Sequence, residues 1–152
     1  VVIGGYVAMG GHAQIDDYAI IGGMTTIHQF VRIGKLAMIG GNSRIVKDIP
    51  PFMLAEGNPM QVRALNSVGL MRRGVSIESQ NELKKAFKIL YKSGLNLSQA
   101  IFEIKKKLNA SYDEIKYLIG FLEQETGRGI LKKMELSESG DLLLPDLPEL
   151  GI

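Results

Sequence analysis

The chain has 152 residues, 45% hydrophobic and 22% charged, a globular composition sized for one ordinary domain or two small ones. It contains no cysteine, which excludes disulfides and thiolate metal sites and fits a reducing compartment. Its net charge of +2 is too small to argue for nucleic acid, and no apolar run approaches a membrane span or a signal peptide.

From Val1 onward a six-residue repeat dominates. Ile3, Met9, Ile15, Ile21, Ile27, Ile33, Ile39 and Ile45 stand six apart, eight hexads without a slip. The next residue is Gly at Gly4, Gly10, Gly22, Gly34 and Gly40. Two positions before each aliphatic stands a small or β-branched residue: Val1, Val7, Ala13, Ala19, Thr25, Val31, Ala37, Ser43. The physical reading is a left-handed parallel β-helix over residues 1–52, in which each hexad is one face of a triangular prism. Three hexads close an 18-residue coil. The aliphatic points inward, the small residue packs where space is tight, and Gly serves the corner by unusual dihedrals or close approach. Because the pattern is already running at Val1, a preceding part is expected, and the first coil should present an open edge prone to association. So thin a prism has a small core, which makes a threefold homotrimer the natural solution.

The same register predicts one surface patch. Gln29 lies eighteen residues after Gly11 and Phe30 eighteen after His12, so each pair should stack one coil apart, about 5 Å by strand spacing. His28 follows the inward Ile27 where five other hexads have Gly, and its side chain should project outward. Asp16 and Asp17 stand in place of another corner Gly and read as turn residues.

Pro50 and Pro51 lack N–H groups and should end the ladder. A connecting loop is expected over 53–75, with Gly57, Asn58 and Pro59 as turn residues. From Ser76 the period becomes helical, and a small α-helical domain is expected over 76–130. Leu83, Ala86, Phe87, Leu90 and Tyr91 share one face; Ser79 and Glu82 offer a capping box, with Ser76 as the other candidate cap. Gly94 is placed to stop this helix. A second helix follows Ser98 with Ile101, Ile104 and Leu108, and a third follows Ser111 with Ile115, Leu118, Ile119 and Leu122. The polar faces carry Lys84, Lys85, Lys88, Lys92, Lys105, Lys106 and Lys107, either a solvated face or a docking surface for an acidic partner. Residues 131–152 are acidic with two prolines and no helical stripe, a loose tail by expectation.

Three stretches carry a resemblance: GGHAQIDDYAIIGGMTTIHQFVRIG, then VKDIPPFMLAEGNP, then LNSVGLMRRG. In this order they resemble the UDP-N-acetylglucosamine acyltransferases of lipid A synthesis, and the helical half with AFKILYKSG is similar to the same family. The resemblance runs from about Val1 to Ile130. The IHQF and GLMRRG blocks are specific to it. Hexads alone are not, since zinc carbonic anhydrases of the gamma type share the prism. Those need three histidines around one metal, and this chain has only His12 and His28.

The resemblance implies an O-acyltransferase moving a 3-hydroxyacyl chain from acyl carrier protein to the 3-hydroxyl of UDP-N-acetylglucosamine. It implies a cytoplasmic homotrimer with no metal and no organic cofactor. The family's general-base histidine lies about one coil before the GGH block, upstream of Val1, so the chain alone is expected to be inactive. Gly11 matches the residue whose backbone N–H serves the oxyanion. His12, His28 and Gln29 match residues at the sugar-nucleotide site; Asn66, Arg72 and Arg73 match residues that bind the nucleotide, its phosphates or the acyl donor. Where the family often has Glu two residues after Asn66, this chain has Val68, which removes one polar contact. Gly41 matches the floor of the acyl groove and leaves room for a longer chain. The Lys-rich helices would receive the acidic carrier protein. Two alternatives stand beside this reading: a trimerising, ligand-binding β-helix module without activity, and a hexapeptide acetyltransferase using a CoA donor.

Overall fold

The computed structural model describes residues 1–132, and the tail expected from 131 falls almost wholly outside them. Each hexad forms one two-residue strand: β1 (Val2–Ile3), β2 (Ala8–Met9), β3 (Gln14–Ile15), β4 (Ile20–Ile21), β5 (Thr26–Ile27), β6 (Arg32–Ile33), β7 (Met38–Ile39) and β8 (Arg44–Ile45). Strands pair in parallel with the strand one coil on: Ile3 with Ile21 and Ile21 with Ile39, Met9 with Ile27 and Ile27 with Ile45, Ile15 with Ile33. The result is a left-handed parallel β-helix with three faces. Face 1 stacks β1, β4 and β7, face 2 stacks β2, β5 and β8, and face 3 stacks β3 and β6. Ile21, Ile27, Ile33, Ile39 and Ile45 form its buried axis, while Val1, Val2, Ile3 and Met9 of the first coil remain exposed.

The corners differ from the expectation in one respect. The chain bends at the third residue after each of the first seven aliphatics, and that residue is not Gly: Tyr6, His12, Tyr18, Met24, Phe30, Leu36 and Asn42 all have φ between 56° and 65°. The glycines that follow the aliphatics serve close approach alone. A Cβ on Gly22 would sit 2.3 Å from the Gly41 nitrogen, and one on Gly10 would sit 2.4 Å from the Gln29 nitrogen. Backbone of one coil therefore rests on backbone of the next. Gly22→Ala is expected to lower the unfolding free energy by about 1–3 kcal/mol through overpacking. Gly5→Ala, where a Cβ would meet nothing within 4 Å, is expected to be close to neutral. Urea unfolding of the two variants checks this, and equal losses would reject the close-approach account.

Pro50 and Pro51 end the hexad register but not the ladder. The donors that continue the stack flank them: Ile49 N–H reaches Arg32 O at 2.9 Å and Phe52 N–H reaches Lys35 O at 2.8 Å. The two missing N–H groups fall between ladder positions. The loop expected over 53–75 is consequently ordered secondary structure. β9 (Met53–Glu56) stacks parallel on β7, and β10 (Gln61–Leu65) returns antiparallel to it. A short helix α1 (Ser67–Arg72) follows.

Three helices complete the described chain: α2 (Ile77–Tyr91), α3 (Leu97–Lys107) and α4 (Asp113–Glu123). Ser76 is the cap of α2, its side chain accepting from Ser79 N–H. The Ser79–Glu82 box does not form, because Ser79 Oγ instead donates to Glu114 Oε2 at 2.7 Å. Gly94, two residues beyond the cap Lys92, takes the left-handed conformation at φ 73°. α3 starts before Ser98, with a capping box made by Asn96 and Gln99. The α4 entry at Tyr112 has no side-chain cap. The inner faces of these helices join the prism in one core, running from Ile33 and Phe52 through Leu70 to Phe87, Leu118 and Phe121. Ile130 and Leu131 belong to that core too, so the tail boundary expected at 131 is too early: Leu131 N–H donates to Asp48 O at 2.9 Å.

Candidate active site

The bend between faces 2 and 3 gathers the patch that the register predicts. Residues one coil apart occupy the same hexad position, so their side chains stack at strand spacing. Phe30 N–H donates to Gly11 O at 3.0 Å. The exposed His12 ring lies on Phe30, centroids 5.0 Å apart and planes 2° from parallel. Gln29 rests directly on Gly10, as the close approach there requires. His28 is half-buried at the same bend, its N–H donating to Ile45 O at 3.0 Å. An open cleft of about 740 Å³ runs along this edge, lined by His12, Gln14, Phe30, Arg32, Gln124 and Arg128 among others.

One wall of the cleft was invisible to the pattern. It is the segment after α4, fixed to face 3 by a buried ion pair. Arg32 Nε donates to Asp48 Oδ2 at 3.1 Å, and Arg32 N–H donates to Asp48 Oδ1 at 2.8 Å. The remaining guanidinium N–H groups reach Gln124 Oε1 at 2.9 Å, Phe121 O at 3.1 Å and Gln124 O at 3.1 Å. The guanidinium carbon lies 4.1 Å from the centroid of the Phe121 ring. Asp48 also accepts from Thr126 Oγ1 at 2.6 Å. Arg32 and Asp48 are sixteen residues apart and their partners lie another eighty or so on, so no local spacing announces the cluster. Asp16 likewise proves to be more than a turn residue. It accepts a hydrogen bond from the Tyr117 hydroxyl of α4, and burial, then the Asp16 carboxylate, push that phenol well above its ordinary range.

The other expected site residues lie elsewhere on the chain. Asn66 is buried and caps α1: its Oδ1 accepts from Gly69 N–H at 3.1 Å and its Nδ2 donates to Leu36 O at 2.9 Å. Within one chain its side chain positions α1. Arg72 and Arg73 sit exposed at the end of that helix, with the Arg73 guanidinium carbon 3.8 Å from the centroid of the Tyr18 ring. Tyr18 is the bend between faces 3 and 1. Gly41 is exposed at the bend between faces 1 and 2, where a Cβ would stand 3.1 Å from Gly23 O. Val68 is exposed in the first turn of α1. A single chain thus distributes the expected residues over three edges of the prism and joins only Gly11, His12, His28 and Gln29.

This architecture has close counterparts. The family profile described as UDP-N-acetylglucosamine O-acyltransferase, domain 2, matches residues 48–131, more than half of the chain. The chain belongs to this family. An acyl-[acyl-carrier-protein]–UDP-N-acetylglucosamine O-acyltransferase of Gloeothece citriformis is 46% identical over 126 residues, covering 83% of this chain and 45% of that protein. The solved UDP-N-acetylglucosamine acyltransferase of Bacteroides fragilis superposes with a TM-score of 0.81 at 39% identity, over 85% of this chain and 50% of that one. The Acinetobacter baumannii structure gives 0.80 at 41% identity, with the same two coverages. The chain therefore spans about half the length of the relatives it matches.

On the helices of this acyltransferase-family chain, some lysines are paired with carboxylates and others are not. Lys85 pairs with Glu82 and Lys107 with Glu103, each at 2.8 Å, and Lys105 pairs with Glu123. Lys84, Lys88 and Lys92 recur every fourth residue along α2, all exposed, and none has a carboxylate partner among the described residues. Among the described residues no helix is long and apolar enough to cross a membrane.

Proposed function

We propose that this chain is part of a cytoplasmic enzyme that moves a 3-hydroxyacyl group from acyl carrier protein to the 3-hydroxyl of UDP-N-acetylglucosamine, opening lipid A synthesis. The observation that carries the reading is the edge where Gly11, His12, His28 and Gln29 meet, in a chain of this family. The sugar hydroxyl oxygen attacks the thioester carbon and its proton goes to a base, which returns it to the departing thiolate. The Gly11 N–H is offered to the developing oxyanion, while His12, His28 and Gln29 hold the sugar nucleotide. No metal is needed for these steps.

A homotrimer is part of the proposal. Face 3 is covered by α4 and the segment after it, whereas faces 1 and 2 present flat rows such as Ile20 and Met38, or Ala8 and Thr26. Threefold packing of those faces would bring the Gly41 edge and the Arg72–Arg73 turn of neighbouring copies toward the His12 edge. Light scattering on the purified chain should give three times the monomer mass; a monomer would remove the assembled site.

The test of function is direct. The folded chain is mixed with 3-hydroxyacyl carrier protein and UDP-N-acetylglucosamine, and the acylated sugar nucleotide is sought by mass spectrometry. Product would make His12 or His28 the base. Nucleotide binding without product would place the base outside these 152 residues. Binding of neither substrate, or turnover with CoA esters alone, would reject the reading. Gly41→Met is expected to shift preference toward shorter acyl chains in an enzyme containing this segment. An unchanged chain-length profile would remove Gly41 from the groove.

A further inference from the structure

Arg128 has a place in the cleft that neither the resemblance nor the comparisons assign. The segment that carries it is pinned on both sides: Thr126 Oγ1 donates to Asp48 Oδ2 at 2.6 Å, and Asp48 N–H donates to Gly129 O at 2.8 Å. Between these anchors Arg128 reaches the bend of the prism, its Nε donating to the carbonyl of Gln29 at 2.8 Å. Among the described residues nothing hydrogen-bonds its two terminal nitrogens and no carboxylate pairs with it. Arg32 lines the same cleft, but Asp48, Gln124 and Phe121 already take up its guanidinium. Arg128 is thus a cation held in a fixed position, uncompensated, and set beside the flat His12–Phe30 stack. A planar guanidinium with both terminal N–H edges free matches the geometry of a phosphate.

We propose that Arg128 binds a phosphate group of a substrate in this cleft, specifically the diphosphate of the sugar nucleotide. The inference rests on the function proposed above, where two substrates carry phosphate: the nucleotide sugar and the pantetheine arm of the carrier protein. The stacked rings favour the first, because a flat aromatic face beside the guanidinium suits a ring-bearing ligand.

Calorimetric titration of the whole chain with UDP-N-acetylglucosamine and, separately, with 4′-phosphopantetheine tests it, on the unaltered protein and on Arg128→Gln and Arg128→Lys. The unfolding midpoint of each is recorded alongside. Arg128→Gln is expected to weaken the sugar nucleotide roughly tenfold or more, the loss of a charge-assisted hydrogen bond, and to leave 4′-phosphopantetheine unchanged. Arg128→Lys, which keeps the charge without the fork, should fall between. A loss confined to 4′-phosphopantetheine would keep the phosphate site but overturn its assignment to the nucleotide. Unchanged affinities with a lowered midpoint would overturn the proposal and leave Arg128 as a staple between Gln29 and the wall. An unaltered chain that binds neither ligand would defeat the proposed function itself, an outcome distinct from failure at Arg128.

Discussion

Asp48→Ala is expected to lower the unfolding free energy by about 3–5 kcal/mol, the cost of leaving a buried charge without its partner. Asp48 is fully buried and Arg32 nearly so. Removing the carboxylate strands the guanidinium among neutral acceptors, Gln124 Oε1 and the carbonyls of Phe121 and Gln124. It also leaves Arg32 N–H and Thr126 Oγ1 without their acceptor. Asp48→Asn keeps an acceptor for Arg32 N–H and should lose less. Urea unfolding followed by circular dichroism reads both. A loss under about 1 kcal/mol for the alanine variant would mean that water reaches the pair and that surface-bridge energetics apply instead. Because this pair ties α4 and the segment after it to face 3, the alanine variant should also loosen the cleft wall. Affinity for the sugar nucleotide should then fall further than the unfolding data alone account for.

The hexad prism was legible from spacing because its periodicity is its structure: each Ile defines a strand, and a shift of eighteen residues defines a neighbour. That is why the His12–Phe30 stack followed from counting. Wherever period gave way to tertiary contact, the reading failed. Two prolines looked like the end of the ladder, yet the donors on either side of them carried it into β9. Asn66, matched by the family resemblance to a nucleotide contact, also caps α1 and donates to Leu36 O, two contacts that no spacing announces. Gln124, Thr126 and Arg128 stand in no motif, Asp48 stands in one that does not announce these partners, and their meeting depends on how the helices lie on face 3. Sequence spacing locates the cleft edge; only the packed helices supply its wall.

The α2 stripe makes the remaining large prediction. Reversing Lys84, Lys88 and Lys92 to Glu is expected to weaken binding of 3-hydroxyacyl carrier protein roughly 10- to 100-fold at low salt, chiefly through slower association. These lysines are exposed and unpaired among the described residues, so the change breaks no internal ion pair and should leave the fold intact. Lys85 and Lys107 already face carboxylates, and reversing them instead should have a smaller effect on docking and a larger one on the helices. Surface-plasmon measurements at low salt and at about 0.5 M salt separate steering from contact, since screening shortens the reach of exposed charges to a few ångströms. The unaltered chain should approach the triple variant as salt rises. If both bind the carrier protein equally well at low salt, α2 is a solvated face and the acidic partner docks elsewhere. Sugar-nucleotide affinity should not change in the triple variant, because α2 contributes no residue to the cleft at the His12 edge.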